Sequence, residues 1–431
     1  MIFTGILSFL STCLSACLPP FLLAAGIYFF VLLSGFPLTH VRRTVRDLFG
    51  RRNAASRRAL FLSLAGTLGV GNITGVGMAL AVGGEGAVFW LILGGIVATV
   101  LKYAEVALSL DARAKDRESR GALDYIAPTL GGGAALAFSL LTLALSLLMG
   151  SLLQGSVINA ATVEILPFHP LSLGLCLFSV TALLFLGGRR AVERLTGALI
   201  PWLTAIYCLL ALFIVFLNIS ALPSVLGRIL RGAFSLRSAG GGILGIGMMR
   251  AMRAGIGKGL FSNEAGAGTA PFAHGNTEVF PAVEGLYGVL EVAIDTLIMC
   301  PLTALAVLSS FAVLPNLSGS ALVSAAFASV FGQAAGKAVS LSIILFSYAT
   351  VACWVSYGQS ALAHLTRSTR LGRLYAFCFC FSLFLGVYLG EGNAFSLCDT
   401  VLAAMTFINT AALLKNARQI RRLTDEYLLL K

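Results

Sequence analysis

Two apolar stretches of the chain contain runs of glycine with polar side chains among them. Residues 65–77 read AGTLGVGNITGVG and surround Asn72 with glycine, and residues 255–271 read GIGKGLFSNEAGAGTAP and contain the polar run 262–264. Glycine in a helix interior costs about 1 kcal/mol relative to alanine, so both runs predict an interrupted helix. A break frees N–H groups that attract an anion and carbonyls that can bind a small cation.

The composition indicates which environment must hold these two breaks. Of 431 residues, 58% are hydrophobic and 11% are charged, and the mean hydropathy is +0.92. An average soluble domain is about 25% charged, so the chain has too few charges to cover a water-soluble surface. We expect an all-α membrane protein in a lipid bilayer. Intrinsic disorder, a secreted disulfide scaffold and a nucleic-acid partner are poor interpretations.

Spans of about 20 apolar residues predict eleven transmembrane helices. The short apolar stretch 318–332 favours a re-entrant or surface helix. The predicted spans lie near residues 20–38, 61–82, 87–110, 134–163, 171–187, 196–219, 240–262, 284–313, 337–364, 373–390 and 393–414.

The distribution of basic residues predicts the orientation. Of the 30 Lys and Arg residues, 22 lie in the loops after odd-numbered spans or in the C-terminal tail, and only 4 lie on the opposite side. Cytoplasmic loops carry the basic excess. We therefore predict a multi-pass protein of the cell (inner) membrane with its N-terminus outside and its C-terminus cytoplasmic.

The two glycine-rich runs fall in predicted spans two and seven, five spans apart. Five crossings invert the second copy, so the spacing predicts a five-plus-five inverted repeat with one extra N-terminal helix. The predicted regions are 1–58 (N-terminal helix and basic loop), 59–219 and 220–414 (the two repeats), and 415–431 (basic tail). Close helix packing is the competing explanation for the glycines, but it does not require the polar residues beside them.

Five motifs resemble the alanine or glycine:cation symporter family, also called sodium:alanine symporters or amino acid carrier proteins. The resemblance runs from about residue 58 to residue 414 and implies a leucine-transporter-like fold and sodium-coupled uptake of alanine or glycine. The motifs are 69-GVGNITGV-76, 83-GGEGAVFW-90, 102-KYAEV-106, 259-GLFSNEAGAGTAPFAH-274 and 295-DTLIMCPLTAL-305.

The resemblance and the break positions together imply a site for a small zwitterion. The substrate carboxylate is expected on backbone N–H groups of Val70, Gly71 and Asn72, because glycine allows close approach of backbone to ligand. The ammonium of the substrate is expected to bind the carbonyls of Phe261 and Ser262 and the side chain of Gln154 or Asn263. The rings of Phe261, Trp354 and Tyr357 are expected to form the side of the pocket or its gate.

The coupling ion implied by the family is sodium, and no other cofactor is expected. The implied ligands are the carbonyls of Ala65 and Leu68 and the hydroxyl of Thr350, since hard cations take oxygen ligands. Val70 and Ala349 stand where the family usually has threonine. These departures keep open an alternative in which sodium coupling is altered or lost, as in a proton-coupled carrier, a channel or a sensor.

Ionisable residues within predicted spans are functional candidates by default. Glu264 can alternatively brace the second half-helix, and Asp295 can alternatively pair with an Arg or Lys of a neighbouring helix. The role of Arg250 stays open, as do the preferred amino acid, its handedness, the stoichiometry and the oligomeric state. No spacing of His, Cys and Asp supplies a catalytic nucleophile with its base or a metal cluster, so an enzyme is disfavoured.

Overall fold

The computed structural model describes residues 2–47, 54–113, 119–234, 244–311, 313–314 and 316–429, and these residues form helices and no strands. Parts of some predicted features lie outside the described residues: 48–53 and 114–118 of the first two basic loops, 240–243 of the seventh span, 312 of the eighth span, and 430–431 of the tail. The helices are α1 (Ile2–Leu32), α2 (Phe36–Asp47), α3 (Ala54–Thr67), α4 (Val76–Gly83), α5 (Ala87–Ala112), α6 (Leu123–Leu130), α7 (Gly132–Leu147), α8 (Leu153–Ile165), α9 (Pro170–Leu217), α10 (Leu222–Ala233), α11 (Leu244–Asn263), α12 (Ala270–His274), α13 (Pro281–Val292), α14 (Cys300–Ser310), α15 (Gly319–Phe331), α16 (Gln333–Leu365), α17 (Thr369–Gly386), α18 (Glu391–Lys415) and α19 (Ala417–Leu429).

Within the described ranges, seven helical segments are long and apolar enough to cross a membrane, and two bent helix pairs raise this number to nine. The predicted number of eleven is not confirmed by this test of length and composition, because α11 carries Arg250, Arg253 and Lys258 and α17 is short and begins with basic residues. The inverted repeat and its boundary near residue 220 stay predictions. The short helix predicted near 318–332 is present as α15 and packs against α16.

The helices form an inner group and an outer group. Two-thirds of the apolar windows of α5 and α16 are buried (67% each), whereas only 17% of the Pro170–Gly188 window is buried. The long helix α9 is kinked at Gly188 and leaves large apolar side chains exposed, among them Leu186 and Trp202. Such a surface suits contact with lipid. The inner group holds the two glycine-rich runs, because α16 packs against α3, which leads into the first run, and α5 packs against α11, which holds the second.

The first glycine-rich run interrupts its helix at Gly69. This residue has a φ of 113° and a ψ of −83°, a backbone conformation that side-chain-bearing residues rarely adopt. A wide π-helical turn, Val70–Gly75, follows and continues into α4, so that the two halves of the span are bent by 45°. The interruption predicted around Asn72 is therefore present in the structure.

The second run ends α11 at Asn263 and starts again as the short helix α12 at Ala270. Residues 264–269 between them are not helical, and three have positive φ angles: Glu264 at 51°, Gly266 at 80° and Gly268 at 82°. The predicted interruption beside Ser262 is thus also present. Because non-helical backbone at membrane depth must be buried in protein or line a cavity, the full burial of residues 264–269 fits this position.

Candidate functional site

The two interrupted helices touch each other directly. A Cβ atom added to Gly71 would lie 2.5 Å from Cα of Ser262, closer than real Cβ atoms approach another atom. Only glycine allows this approach. The sequence predicts a space between the breaks for a small zwitterion. The structure instead has Gly71 packed on Ser262, so the predicted binding position is closed in this conformation.

Asp295 links the two breaks. It lies in a π-helical segment, Ala293–Met299, between α13 and α14, and it is fully buried. Its carboxylate accepts hydrogen bonds from the amide of Asn72 (2.5 Å), the hydroxyl of Ser262 (2.9 Å) and the hydroxyl of Thr296 (2.6 Å). These recorded partners are neutral donors. In the described part of the chain, the carboxylate of Asp295 therefore binds uncharged groups, and the alternative that it pairs with an Arg or Lys is wrong for these contacts.

The side chain of Asn72 is fully used in holding the first break together. Its oxygen accepts a hydrogen bond from the N–H of Gly69 at 3.0 Å, and its nitrogen also donates to the backbone carbonyl of Asp295 at 2.7 Å. Asn72 therefore fixes the turn and joins it to the neighbouring helix. The predicted role of its backbone N–H in binding a ligand at the start of a half-helix stays a prediction.

The three predicted cation ligands come together. The hydroxyl of Thr350 lies 2.9 Å from the carbonyl oxygen of Ala65 and 3.4 Å from that of Leu68. The carbonyl of Phe346 lies 3.2 Å from the same hydroxyl. Three carbonyl oxygens, from Ala65, Leu68 and Phe346, thus lie within 3.4 Å of the Thr350 hydroxyl. An all-oxygen set of neutral groups fits a hard monovalent cation.

The remaining predicted site residues differ in how many of their polar atoms are hydrogen-bonded. Asn263 donates to Thr296 at 3.1 Å and accepts from the N–H of Ala265 at 2.9 Å, so it caps the second break. Gln154 donates to the carbonyl of Met149 at 2.8 Å, and its side-chain oxygen has no hydrogen-bond partner among the described residues. Trp354 lies against Gly150 and Tyr357, with its indole N–H likewise unpaired there.

A cavity of about 330 Å³, partly open to solvent, lies on one side of the breaks between α1, α4, α11 and α18. Its floor includes Leu260 and Phe395, and the ring of Phe395 is 4.7 Å from that of Phe261. The ammonium of Lys258 forms an ion pair of 2.7 Å with Asp399 and lies 4.5 Å from the centre of the Phe395 ring.

Phe395 and Asp399 were missed by the sequence reasoning, because α18 carries neither a glycine run nor a polar cluster. A carboxylate four residues after an aromatic ring in an apolar span was the available signal. Arg253 and Arg250 are both exposed, and of the two Arg253 is the one that lines the same cavity. The basic residues of α11 therefore differ in their surroundings: Lys258 is paired with Asp399, and Arg253 is exposed beside the same cavity.

Sequence comparisons show which known proteins the chain is similar to. Residues 2–430 match the model of the sodium:alanine symporter family. The chain is 32% identical over 406 residues to the "Probable sodium/glutamine symporter GlnT" of Bacillus subtilis, which covers 91% of this chain and 84% of the relative. It is 31% identical to the "Amino-acid carrier protein AlsT" of Bacillus subtilis (85% and 79% covered) and 30% identical to the "Sodium/alanine symporter AgcS" of Methanococcus maripaludis (83% and 80% covered).

Proposed function

Because this chain belongs to the sodium:alanine symporter family, which is a family of transporters and not of enzymes, we propose that it imports a small neutral amino acid, alanine or glycine, together with sodium. The observation that carries the proposal is the meeting of two interrupted helices at Gly71 and Ser262, tied together by Asp295. Paired breaks of this kind supply both N–H donors and carbonyl acceptors at one point, which suits a zwitterion.

The substrate carboxylate binds the N–H groups at the start of the π-helical turn, at Val70, Gly71 and Asn72. The dipole of the following half-helix favours a negative charge there. Binding requires the contact between Gly71 and Ser262 to open by the width of the ligand. A larger side chain would need more separation, and so the tight packing supports a small substrate.

The ammonium group of the substrate needs acceptors on the opposite side. The carbonyls of Phe261 and Ser262 lie at the end of α11, where helix carbonyls lose their intrahelical partners. The unpaired side-chain oxygen of Gln154 is a third acceptor. Neutral acceptors suffice, because the ligand's own two charges compensate each other.

Sodium is the co-transported substrate and binds the oxygen set around Thr350. Two of these oxygens, the carbonyls of Ala65 and Leu68, belong to the helix half that ends at Gly69. A cation there holds that half-helix against α16. We infer that sodium thereby favours the arrangement of Gly69–Asn72 that binds the substrate carboxylate, which is a coupling of two binding sites through one turn.

Alternating access is proposed to use the ion pair on the floor of the cavity. Lys258, Asp399 and the rings of Phe261 and Phe395 separate the cavity from the breaks. Opening them exposes the site to the cavity side, and rocking of the inner helices exposes it to the other side. By the predicted topology the cavity faces the outside of the cell membrane and the C-terminus faces the cytoplasm.

The test is uptake of labelled alanine and glycine into proteoliposomes with and without an inward sodium gradient. Accumulation above the external concentration only with sodium is expected. Binding without gradient-driven accumulation would contradict the proposal and support the non-transporting sensor. Current without stoichiometric substrate movement would support the channel. The double variant Val70→Thr with Ala349→Thr then tests whether the departures from the family pattern weaken sodium coupling.

A further inference from the structure

Glu264 is a buried carboxylate that the proposed transport site does not use. It directly follows α11, is fully buried, and has a φ of 51°, which is rare for a residue with a side chain. The hydroxyl of Thr269 and the ammonium of Lys102 attract it. Neither of its oxygens, however, accepts a hydrogen bond of standard geometry from the described part of the chain.

Glu264 lies near a group of ionisable side chains on α5, α12 and α13. We call the six residues the buried charge cluster, and they are completely or almost completely removed from solvent. The cluster consists of Lys102, Glu105, Glu264, His274, Glu284 and Glu291.

Most members of the buried charge cluster form ion pairs with one another. Lys102 lies 3.1 Å from Glu291 and 3.7 Å from Glu105. His274 lies 2.6 Å from Glu284 and 3.5 Å from the second oxygen of Glu291. The two bases therefore each face two acids, and Glu264 is the member for which no ion pair is recorded within 4.0 Å.

Unlike Glu264, Glu105 accepts hydrogen bonds from uncharged donors. One of its oxygens accepts from the N–H of Gly268 and from the amide of Asn409, each at 3.0 Å. Asn409 in turn binds the carbonyl of Gly266 and accepts from Tyr125. This network holds loop 264–269 against α5 and α18. It also stabilises the charged form of Glu105 and leaves Glu264 as the least stabilised carboxylate.

The charges of the cluster do not balance if every acid is ionised. Four carboxylates face two bases, so two negative charges would remain even with His274 protonated. The other groups around Glu264 do not supply a positive charge. Asp295 and Glu291 repel it, and Tyr357 on α16 is neutral. An uncompensated buried charge costs several kcal/mol, and the group takes up a proton instead.

We propose that the buried charge cluster is a proton-binding site and that Glu264 carries its exchangeable proton. Protonation forms one O–H bond on the Glu264 carboxylate with a proton taken from water, and release returns that proton, with no change of oxidation state. A proton is favoured over a metal ion because the described residues contain no group of three or more His, Cys, Asp or Glu placed to hold one.

The position of Glu264 connects this proton to transport. Ser262 and Asn263 at the second break immediately precede it, so any movement of the end of α11 changes the surroundings of the carboxyl group. We infer that the proton binds and leaves as the break rearranges during the transport cycle. This last step rests on the proposed function, whereas the protonation of Glu264 does not.

The direct test is infrared spectroscopy of the purified protein. The carbonyl stretch of a protonated carboxylic acid is expected in the wild type, is expected to shift on labelling of glutamate with ¹³C, and is expected to be lost in Glu264→Gln. Asp111→Asn is the matched control, since Asp111 is a carboxylate of α5 that pairs with Gln419 and Arg422 outside the cluster. An unchanged band in Glu264→Gln would overturn the proposal.

The labelled wild type keeps the test decisive even where Glu264→Gln does not fold, because absence of any ¹³C-sensitive band excludes a protonated glutamate.

A second experiment tests the connection to transport and uses proteoliposomes with an entrapped pH dye. Glu264→Gln is expected to keep sodium-driven alanine uptake and to lose the substrate-driven proton movement of the wild type. Wild-type uptake without proton movement overturns the coupling alone, and absence of wild-type uptake contradicts the proposed function instead.

Discussion

The side-chain nitrogen of Asn72 lies 2.5 Å from a carboxylate oxygen of Asp295, although 223 residues separate them in the chain. Asp295 binds Ser262 through its other oxygen. One carboxylate therefore joins the first break to the second. Any change in the separation of the two broken helices must stretch or exchange these hydrogen bonds, which places Asp295 at the centre of the proposed transport movement.

Replacing Asp295 by alanine is expected to destabilise the protein by about 1–3 kcal/mol or more, because it leaves the donors of Asn72, Ser262 and Thr296 buried without their acceptor. Asp295→Asn keeps one acceptor oxygen and is expected to cost less. Thermal unfolding in detergent measures both. Asp425→Asn, at an exposed ion pair with Arg421, is the control and should change stability by no more than about 0.5 kcal/mol. Equal stability of Asp295→Ala and wild type would contradict the bridging role.

Gly71→Ala is expected to abolish stabilisation of the protein by alanine. The new Cβ atom, which would lie 2.5 Å from the backbone of Ser262 in this conformation, would occupy the space beside the Gly71 N–H where the substrate carboxylate is proposed to bind. Gly75→Ala on the same π-helical turn is the matched control, because its Cβ would meet its nearest neighbour, the carbonyl of Val70, at 3.4 Å. Ligand-induced shifts of the melting temperature measure the effect. Similar shifts in both variants would exclude a special role of the Gly71 contact.

Thr350→Val removes one oxygen from the proposed sodium site and nearly preserves the volume of the side chain. The sodium concentration for half-maximal alanine binding is expected to rise roughly tenfold, equivalent to about 1.4 kcal/mol. Thr350→Ser keeps the hydroxyl and should bind sodium almost as the wild type does. If valine and serine at position 350 give the same sodium dependence, the cation does not bind beside Ala65 and Leu68.

The ion pair between Lys258 and Asp399 is predicted to act on rates more than on stability. The side chain of Asp399 is 40% exposed, and a partly exposed ion pair is worth about 0–1 kcal/mol. Lys258→Met and Asp399→Asn should each speed the release of bound labelled alanine, because the floor of the cavity opens more often.

The charge swap Lys258→Asp with Asp399→Lys supplies the control for this prediction. It restores an attractive pair and is expected to return the release rate toward that of the wild type. A swapped protein as fast as the single variants would mean that packing of Lys258 on Phe261 and Phe395, rather than its charge, closes the floor.

The predicted spans agree best where a helix is long and uniformly apolar. The span predicted at 134–163 corresponds to Gly132–Ile165, and that at 337–364 corresponds to Gln333–Leu365. The span predicted at 20–38 agrees less well, because α1 ends at Leu32 and α2 continues after a bend of 72°. Hydropathy measures the length of an apolar stretch and is insensitive to a turn such as Ser34–Gly35, where both residues have positive φ.

The sequence by itself determined the membrane environment and the positions of both helix breaks, because composition and glycine content act locally on the backbone. The group of oxygens around Thr350 was expected only from the family resemblance, since it joins residues more than 280 positions apart. The tertiary structure alone decided what the polar residues near the breaks contact. It directed Asn72 to Asp295, paired Lys258 with Asp399, and left Glu264 without a hydrogen-bond donor of standard geometry among the described residues. Each of these outcomes depends on which distant helix packs alongside, and the free energy of a buried polar group is set by that neighbour.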